Sequence, residues 1–274
     1  MSKGMALLVG LLAVDPSKYG GASYRTAVGH KDAEDMWKLL KNQGFELTPP
    51  LLTPDAKINN VRGAILSAAN ALHSGDTFVF VYSGHGMKMA DQDNDEPDGL
   101  DETLCLYDGQ LVDDDLHDLW KAFKKGVRVV LVVNSCYSGS VNKHMVAFHA
   151  TDAQDVKGEE RALKAAVSMR PFGAKKTDDA HVFESRDALT PQRDVEALVM
   201  LFSACEERSL ALEGEDNSIF IDALKNVWAR HDTKPSYRKL HAEVEREMKN
   251  GQVPVLTMIP RRDDSFFNAK AFHI

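Results

Sequence analysis

The feature that most constrains the fold of this chain is a series of short apolar runs that alternate with amphipathic segments. The runs TFVFVY (77–82) and VRVVLVV (127–133) are dominated by Val, Phe and Leu, as is typical of strands buried on both faces of a parallel sheet. In HKDAEDMWKLLKN (30–42) the apolar residues instead recur every three or four positions, which indicates a helix with one buried face. The alternation predicts an α/β protein with helices on both faces of a mainly parallel sheet.

The same patterns place the remaining elements. Predicted strands are 5–14, 45–52, 77–82, 127–133, 197–203 and 253–258, and predicted helices are 30–42, a segment starting at Thr53, 113–125, 217–230 and 235–249. The second helix is predicted to start with Thr53 as its N-cap and Pro54 in its first turn. The apolar run 5–14 resembles a short leader, but it ends in Asp15-Pro16 without a small-residue cleavage site, which favours a strand.

Composition narrows the class of protein. The net charge of −8 argues against binding to a nucleic-acid backbone, and the apolar run near the start is too short to span a membrane. Three cysteines without a C-x-x-C pair predict no zinc site and a reducing, cytoplasmic location. We expect one monomeric domain over 1–274, interrupted by a long polar insertion at 142–193.

Two strands of the predicted sheet run directly into unusual polar turns. The strand 77–82 continues into Ser83-Gly84-His85-Gly86, and the strand 127–133 continues into Asn134-Ser135-Cys136. Because one crossover makes these strands parallel, both turns lie at the same edge of the sheet, where ligands of such sheets bind.

The residue types at this edge suggest acyl-transfer chemistry. A thiol beside an imidazole becomes a nucleophile once deprotonated, and the imidazole can pass the proton to a leaving amine. Backbone N–H groups of Gly86 and Cys136 would hold the developing oxyanion. Taken singly, Cys136 and His85 are more often a small buried hydrophobe and a hydrogen-bonded core residue; their joint placement favours the functional interpretation.

An ordered series of motifs resembles the metacaspases, which are caspase-related cysteine peptidases. The motifs are ALLVG near the start, GHKDAEDMWKLLKNQGF (29–45), YSGHG (82–86), DQDNDEPDGLDE (91–102), VDDDLHDLW (112–120), NSCYSGS (134–140) and SACEERSLA (203–211). The resemblance implies a caspase-type αβα sandwich with a mainly parallel sheet of about six strands. It also implies a peptide or protein substrate and no organic cofactor.

The resemblance also assigns roles to individual residues. His85 corresponds to the family's dyad histidine and Cys136 to its nucleophile, with cleavage after Arg or Lys. Asp32 corresponds to an acid of the first specificity pocket, to which we also assign Ser83. The family's second pocket acid is replaced here by Asn134, which accepts a hydrogen bond from Arg or Lys but contributes no charge.

The segment 91–118 holds twelve Asp or Glu and no Lys or Arg, and the part of it before the helix at 113 is predicted to be a loop. Its spacing partly fits a calcium-binding EF-hand, but Glu96 occupies the glycine position of that template. The resemblance points instead to calcium held by Asp101, Asp113 and Asp114. The family's fourth aspartate falls near 142–143, where it is absent. Asp113 and Asp114 also suit the start of a helix for purely structural reasons, so both roles stay open.

Three other functions remain compatible with the sequence. The chain is alternatively a non-catalytic caspase-fold scaffold, which Asn134 and the missing fourth aspartate favour. It is alternatively a hydrolase of small amides or thioesters. A third alternative is a protease dedicated to one protein partner, for example in bacterial defence.

Overall fold

The computed structural model describes residues 2–90, 100–135, 195–204, 212–214, 216–248, 252–259 and 263–274. The predicted insertion 142–193 therefore lies outside the described residues. The strands within these ranges are β1 (Gly4–Gly10), β2 (Glu46–Leu47), β3 (Leu51–Leu52), β4 (Thr77–Ser83), β5 (Gly86–Ala90), β6 (Leu100–Leu106), β7 (Gly109–Val112), β8 (Arg128–Asn134), β9 (Leu198–Ser203) and β10 (Val255–Ile259). The helices are α1 (Gly29–Asn42), α2 (Ile58–Ala71), α3 (Asp113–Lys121), α4 (Ile219–Ala229), α5 (Tyr237–Glu247) and α6 (Asp264–Phe267).

The central sheet is mainly parallel, as predicted. Its order is β10-β9-β8-β4-β1-β2, and the short β3 also pairs with β1. Strands β2, β3, β4, β8 and β9 join it by parallel pairing, while β10 is antiparallel to β9 at the edge. Pro254 directly precedes this edge strand, where a missing N–H is tolerated.

Alternate strand residues divide between two hydrophobic cores, one on each face of the sheet. One face packs against α1, α4 and α5 through residues such as Met36, Phe220 and Leu240. The opposite face packs against α2 and α3 through residues such as Ile65 and Trp120. The result is the predicted αβα sandwich. None of the described helices is both long and apolar enough to cross a bilayer.

A glycine pair, Gly10 and Gly29, brings α1 close to strand β1 of the main sheet. A Cβ on Gly10 would lie 2.3 Å from the carbonyl oxygen of Gly29, and a Cβ on Gly29 would lie 2.1 Å from that of Leu11. Neither position therefore accepts a side chain without moving backbone. The close approach holds the first turn of α1 over the carboxyl end of the sheet.

The predicted start of the second helix was wrong, and the error has a physical cause. Helix α2 begins at Ile58 rather than at Thr53, whose side chain instead accepts a hydrogen bond from the Leu12 amide at 2.9 Å. The first N–H of α2, on Ile58, is capped by Asp108 at 2.9 Å. A cap from so distant a residue cannot be inferred from the local sequence.

The segment predicted as an acidic loop contains regular structure. Strands β5, β6 and β7 form a separate antiparallel sheet in the order β5-β6-β7. Its buried apolar side chains are Leu104, Cys105, Leu106 and Leu111, and Thr103 is buried as well. The aspartates and glutamates around them conceal the strand pattern.

Candidate active site

The two polar turns predicted to meet do so at the carboxyl end of the sheet. Ser83, the last residue of β4, is paired in register with Asn134, the last residue of β8. The amide of Gly84 also donates to the Asn134 carbonyl at 3.2 Å. His85 follows this register pair by two residues on one strand, and Cys136 follows it by two residues on the other. Cys136 itself lies outside the described residues.

His85 is half-buried, and its ring is oriented by the loop after β1. The Nε2 atom lies 3.1 Å from the Arg25 carbonyl oxygen. Because a carbonyl oxygen only accepts hydrogen bonds, Nε2 must carry the proton in the neutral ring. The Tyr24 ring packs beside the imidazole with centroids 5.9 Å apart. This arrangement selects the tautomer in which Nδ1 is the basic nitrogen.

The backbone at His85 is held in place by hydrogen bonds that involve the buried Tyr82 and the neighbouring strand β6. The Tyr82 hydroxyl lies 2.7 Å from the His85 carbonyl oxygen and 2.8 Å from that of Cys105, and the Cys105 amide donates to the same His85 carbonyl at 3.0 Å. Glycine is required at position 84, because a Cβ there would lie 2.6 Å from the Tyr82 hydroxyl. Gly86 then starts β5 opposite Leu104.

The carboxylate of Asp32 is the centre of a buried polar network beneath these turns. It is fully buried in the first turn of α1. Its Oδ2 accepts from the Ser83 hydroxyl at 2.7 Å and from Asn134 Nδ2 at 3.3 Å. Its Oδ1 accepts from Asn217 Nδ2 and from the Ser218 amide, both at 3.0 Å. Asp32 therefore binds four donors from three separate parts of the chain.

Burial also changes the protonation behaviour of Asp32. Removal from water raises the pKa of the Asp32 carboxyl, and the hydrogen bonds from Ser83, Asn217 and Ser218 lower it by less.

The structure brings together the three residues assigned to the first specificity pocket, Asp32, Ser83 and Asn134. Asn134 is 6% exposed, and its Oδ1 has no hydrogen-bond partner among the described residues. A buried acceptor of this kind is a candidate contact for a ligand donor.

The three candidate calcium ligands share one end of the small antiparallel sheet. Asp101 lies in β6, two residues before Thr103, which is paired with Val112, and Asp113 and Asp114 directly follow Val112 in the first turn of α3. The Asp114 amide donates to Asp113 Oδ1 at 3.1 Å, as expected of residues at a helix start. Among the described side chains, no group of three or more potential ligands is assembled.

The chain has two cysteines besides the candidate nucleophile, Cys105 and Cys205. Cys105 is fully buried in β6, and burial raises the pKa of its thiol to about 12. A thiol with so high a pKa forms little thiolate at neutral pH and is a poor nucleophile. Cys205 lies outside the described residues.

Several members of the site were not predicted from the sequence. Asn217 and Ser218 are 185 and 186 residues away from Asp32 along the chain. Ser218 has a local signal as the N-cap of α4, where its hydroxyl accepts from the Ile221 amide at 3.2 Å, but that signal says nothing about Asp32. The carbonyl of Arg25 carries no sequence signal, since every residue has one.

The fold and its polar strand ends define a protein of the caspase type, and comparison with known structures agrees. A crystal structure of a protein from Geobacter sulfurreducens matches with a TM-score of 0.75 and 36% identity over 99% of both chains. Caspase-1 from Spodoptera frugiperda matches with a TM-score of 0.55 over 100% of this chain and 92% of that one. Since the latter pair is only 16% identical, that likeness concerns the fold alone.

Sequence comparison identifies the family. Residues 3–264 match the family model of the caspase domain, Peptidase C14, so this chain belongs to the caspase domain family. Metacaspase-1 of Arabidopsis thaliana is 36% identical over 101 residues, which are 35% of this chain and 27% of that protein. Metacaspase-1 of Cryptococcus neoformans is 34% identical over 152 residues, 50% of this chain and 32% of that protein. The matched segments span about a third or less of these relatives.

Proposed function

We propose that this protein is a cysteine endopeptidase in which Cys136 is the nucleophile and His85 the general base and acid. The observation that carries the proposal is the register of β4 and β8. Ser83 and Asn134 are paired at the ends of these strands. His85 and Cys136 each follow one of them by two residues, so the two segments that carry these residues leave the sheet edge side by side. Membership in the caspase domain family supports the same assignment.

The orientation of His85 suits this chemistry. With Nε2–H donating to the Arg25 carbonyl, Nδ1 is the nitrogen that accepts the Cys136 thiol proton. The sulfur then attacks the scissile carbonyl carbon, and its oxygen becomes an oxyanion near the amides of Gly86 and Cys136. Nδ1–H protonates the leaving amine as the C–N bond breaks, and water activated by the same nitrogen hydrolyses the thioester. The Arg25 carbonyl stabilises the imidazolium formed between these steps.

We further propose a preference for Arg or Lys on the amino side of the cleaved bond. Asn134 Oδ1 is a buried acceptor without a partner among the described residues, two residues before the proposed nucleophile. The Asp32 carboxylate lies behind it and contributes negative charge to the same region. An acceptor supported by a carboxylate favours a cationic donor over a neutral one.

The assignment is tested with purified protein and reporter peptides that differ only in having Arg, Lys, Gln or Asp before the cleaved bond. We expect turnover of the Arg and Lys peptides, and loss of at least about a thousandfold in kcat for Cys136→Ala, because the nucleophile is absent. Serine-directed inhibitors should have no effect. Activity that persists in Cys136→Ala, or a preference for Asp peptides, would contradict the proposal.

The non-catalytic scaffold is separated from the peptidase by a covalent label. A chloromethyl ketone with a terminal arginine should alkylate Cys136, detected as a mass increase on the peptide that contains it. His85→Ala should slow that labelling, because the thiol loses its base. Absence of labelling in folded protein, with and without calcium, would support the scaffold instead.

We also propose that Asp101, Asp113 and Asp114 bind calcium. Their placement at one end of the β6–β7 pairing fits a hard cation, which prefers carboxylate oxygens. Bound calcium would offset their mutual repulsion and link β6 to α3. Calorimetric titration of the protein with calcium chloride should show binding that Asp113→Asn and Asp101→Asn both weaken by about tenfold or more. Unchanged affinity in both variants would overturn this site.

A further inference from the structure

The Asp32 carboxylate is a poor candidate for direct pairing with a substrate. The side chain is fully buried, and both of its oxygens already accept two hydrogen bonds, at 2.7 to 3.3 Å. A substrate guanidinium or ammonium would have to displace at least one of these buried donors, which would then lose its partner. The charge of Asp32 reaches a substrate, but its oxygen atoms are occupied.

The partners of Asp32 are the residues that determine where the two strand ends lie. Ser83 precedes His85 by two residues, and Asn134 precedes Cys136 by two residues. Asn134 Nδ2 also lies 3.1 Å from Ser83 Oγ, so the three side chains form a closed triangle. The other oxygen of Asp32 binds Asn217 and Ser218, which start α4. One carboxylate thus connects both strand ends to two helices.

The identity of each residue in the triangle fits this connecting role. All four groups facing Asp32 are donors, and a carboxylate is the side chain that accepts from four donors at once. The amide nitrogen at position 134 donates to Asp32 Oδ2 and to Ser83 Oγ. A carboxylate there would place two negative groups about 3.3 Å apart in a dry environment. Asn134 is therefore the chemical complement of Asp32.

We propose that Asp32 is a positioning residue that holds the ends of β4 and β8 in register, and thereby sets the separation of His85 and Cys136. This inference rests on the proposed role of Cys136 as nucleophile. It predicts that Asp32 affects the reactivity of the thiol itself, even toward a reagent that has no side chain to fill the specificity pocket.

The test measures the rate of Cys136 alkylation by iodoacetamide in the intact protein, followed site by site with mass spectrometry. Asp32→Asn places an amide N–H against the N–H groups of Asn134, so we expect alkylation to slow about tenfold through misplacement of the strand ends. For the Arg reporter, kcat should fall, and KM should rise as well because the charge of Asp32 is lost. Normal alkylation with an increase in KM alone would overturn the proposal and make Asp32 a substrate-binding group.

Exchanging the residues at positions 32 and 134 tests the hydrogen-bond complementarity more directly. In the double variant Asp32→Asn/Asn134→Asp, the new amide at 32 still accepts from Asn217 and Ser218 through Oδ1, and donates to the new carboxylate at 134 through Nδ2. We expect the double variant to recover most of the alkylation rate lost in each single variant. Absence of recovery in folded double variant would contradict the hydrogen-bond complementarity.

Two further variants complete the experiment. Ser83→Ala removes one contact and should slow alkylation about threefold, so it serves if Asp32→Asn does not fold. Asp76→Asn is the matched control, because Asp76 accepts from the Lys3 and His73 amides at 2.8 Å each, at the opposite end of β4. It should leave alkylation unchanged. If the wild-type protein cleaves no peptide, but Asp32→Asn still slows alkylation of Cys136, the peptidase assignment is wrong and the positioning role is supported.

Discussion

Two buried aspartates of helix α1 have different kinds of hydrogen-bond partners: neutral donors at Asp32 and lysines at Asp35. Asp32 and Asp35 are three residues apart on α1 and are 0% and 8% exposed. Asp32 is surrounded by neutral donors, as described above. Asp35 binds three lysines instead: Lys38 at 3.1 Å, Lys225 at 2.6 Å, and Lys31 one helical turn earlier.

The difference appears in the protonation of the two groups. Burial raises the pKa of Asp32, and its neutral donors compensate only in part. Burial acts in the same direction on Asp35, but the hydrogen bonds from Lys225, Lys31 and Lys38 outweigh it and hold its pKa well below the usual range. Neutral donors fix the position of Asp32 at a cost in desolvation, whereas cations stabilise the charge of Asp35. We infer that Asp32 fixes the geometry of the buried groups that donate to it, whereas Asp35 neutralises a group of partly exposed lysines.

The largest expected effect is a difference in how much each aspartate stabilises the fold. Asp32→Ala leaves several buried donors without an acceptor and should lower the free energy of unfolding by about 4 kcal/mol. Asp35→Ala leaves lysines whose side chains are 28% to 63% exposed, and these reach water. We expect a loss of about 2 kcal/mol.

Urea unfolding followed by circular dichroism measures both values. The wild-type protein and Asp76→Ala, a variant at the far end of the sheet, provide the reference. Equal losses at 32 and 35 would show that the kind of partner does not matter, and the comparison would fail.

The sequence predicted the frame that holds these two residues. Strands β4 and β8 and helix α1 were placed within one or two residues of their observed bounds, because burial on both faces of a strand or one face of a helix leaves a clear periodicity. The resemblance to metacaspases assigned Asp32 to the site. Its role as a connection between strand ends was not predictable, because its partners Asn217 and Ser218 are 185 and 186 residues away along the chain and no local pattern links them to Asp32.

Errors elsewhere arose in the same way. Local rules placed a helix start at Thr53, but a side chain from the β6–β7 turn, Asp108, determines the actual start at Ile58. Sequence patterns report burial and local capping. They do not report hydrogen bonds between segments that only the fold brings together.

The second effect is a pH dependence of opposite sign at the two aspartates. The folded pKa of Asp35 lies below its ordinary value of 3.8, so the stability it contributes is present above pH 3.8 and is lost as pH falls below it. The folded pKa of Asp32 lies above 3.8, so its contribution becomes more favourable as pH falls through that folded pKa toward 3.8. Each slope is at most about 1.4 kcal/mol per pH unit.

The free energy of unfolding is measured for the wild type, Asp32→Asn and Asp35→Asn across a series of acidic buffers. The difference between the wild type and each variant gives the contribution of that aspartate to stability at each pH. As pH falls below 3.8, the difference in unfolding free energy between the wild type and Asp35→Asn should shrink. As pH falls toward 3.8 from above, the difference between the wild type and Asp32→Asn should grow. Slopes of the same sign would mean that the two environments are not electrostatically different.

The smallest effect is an energetic coupling between the two aspartates. Lys225 connects them, because its Nζ donates to Asp35 at 2.6 Å and to Asn217 Oδ1 at 2.7 Å, and Asn217 in turn donates to Asp32. A double-mutant cycle of Asp32→Asn and Asp35→Asn should give an interaction free energy of about 0.5 to 1 kcal/mol. The same cycle in a Lys225→Met background should give a value near zero, because the connecting ammonium is gone. A coupling that survives Lys225→Met would mean that the two aspartates communicate through the helix backbone, and that the two environments are not separable as the structure implies.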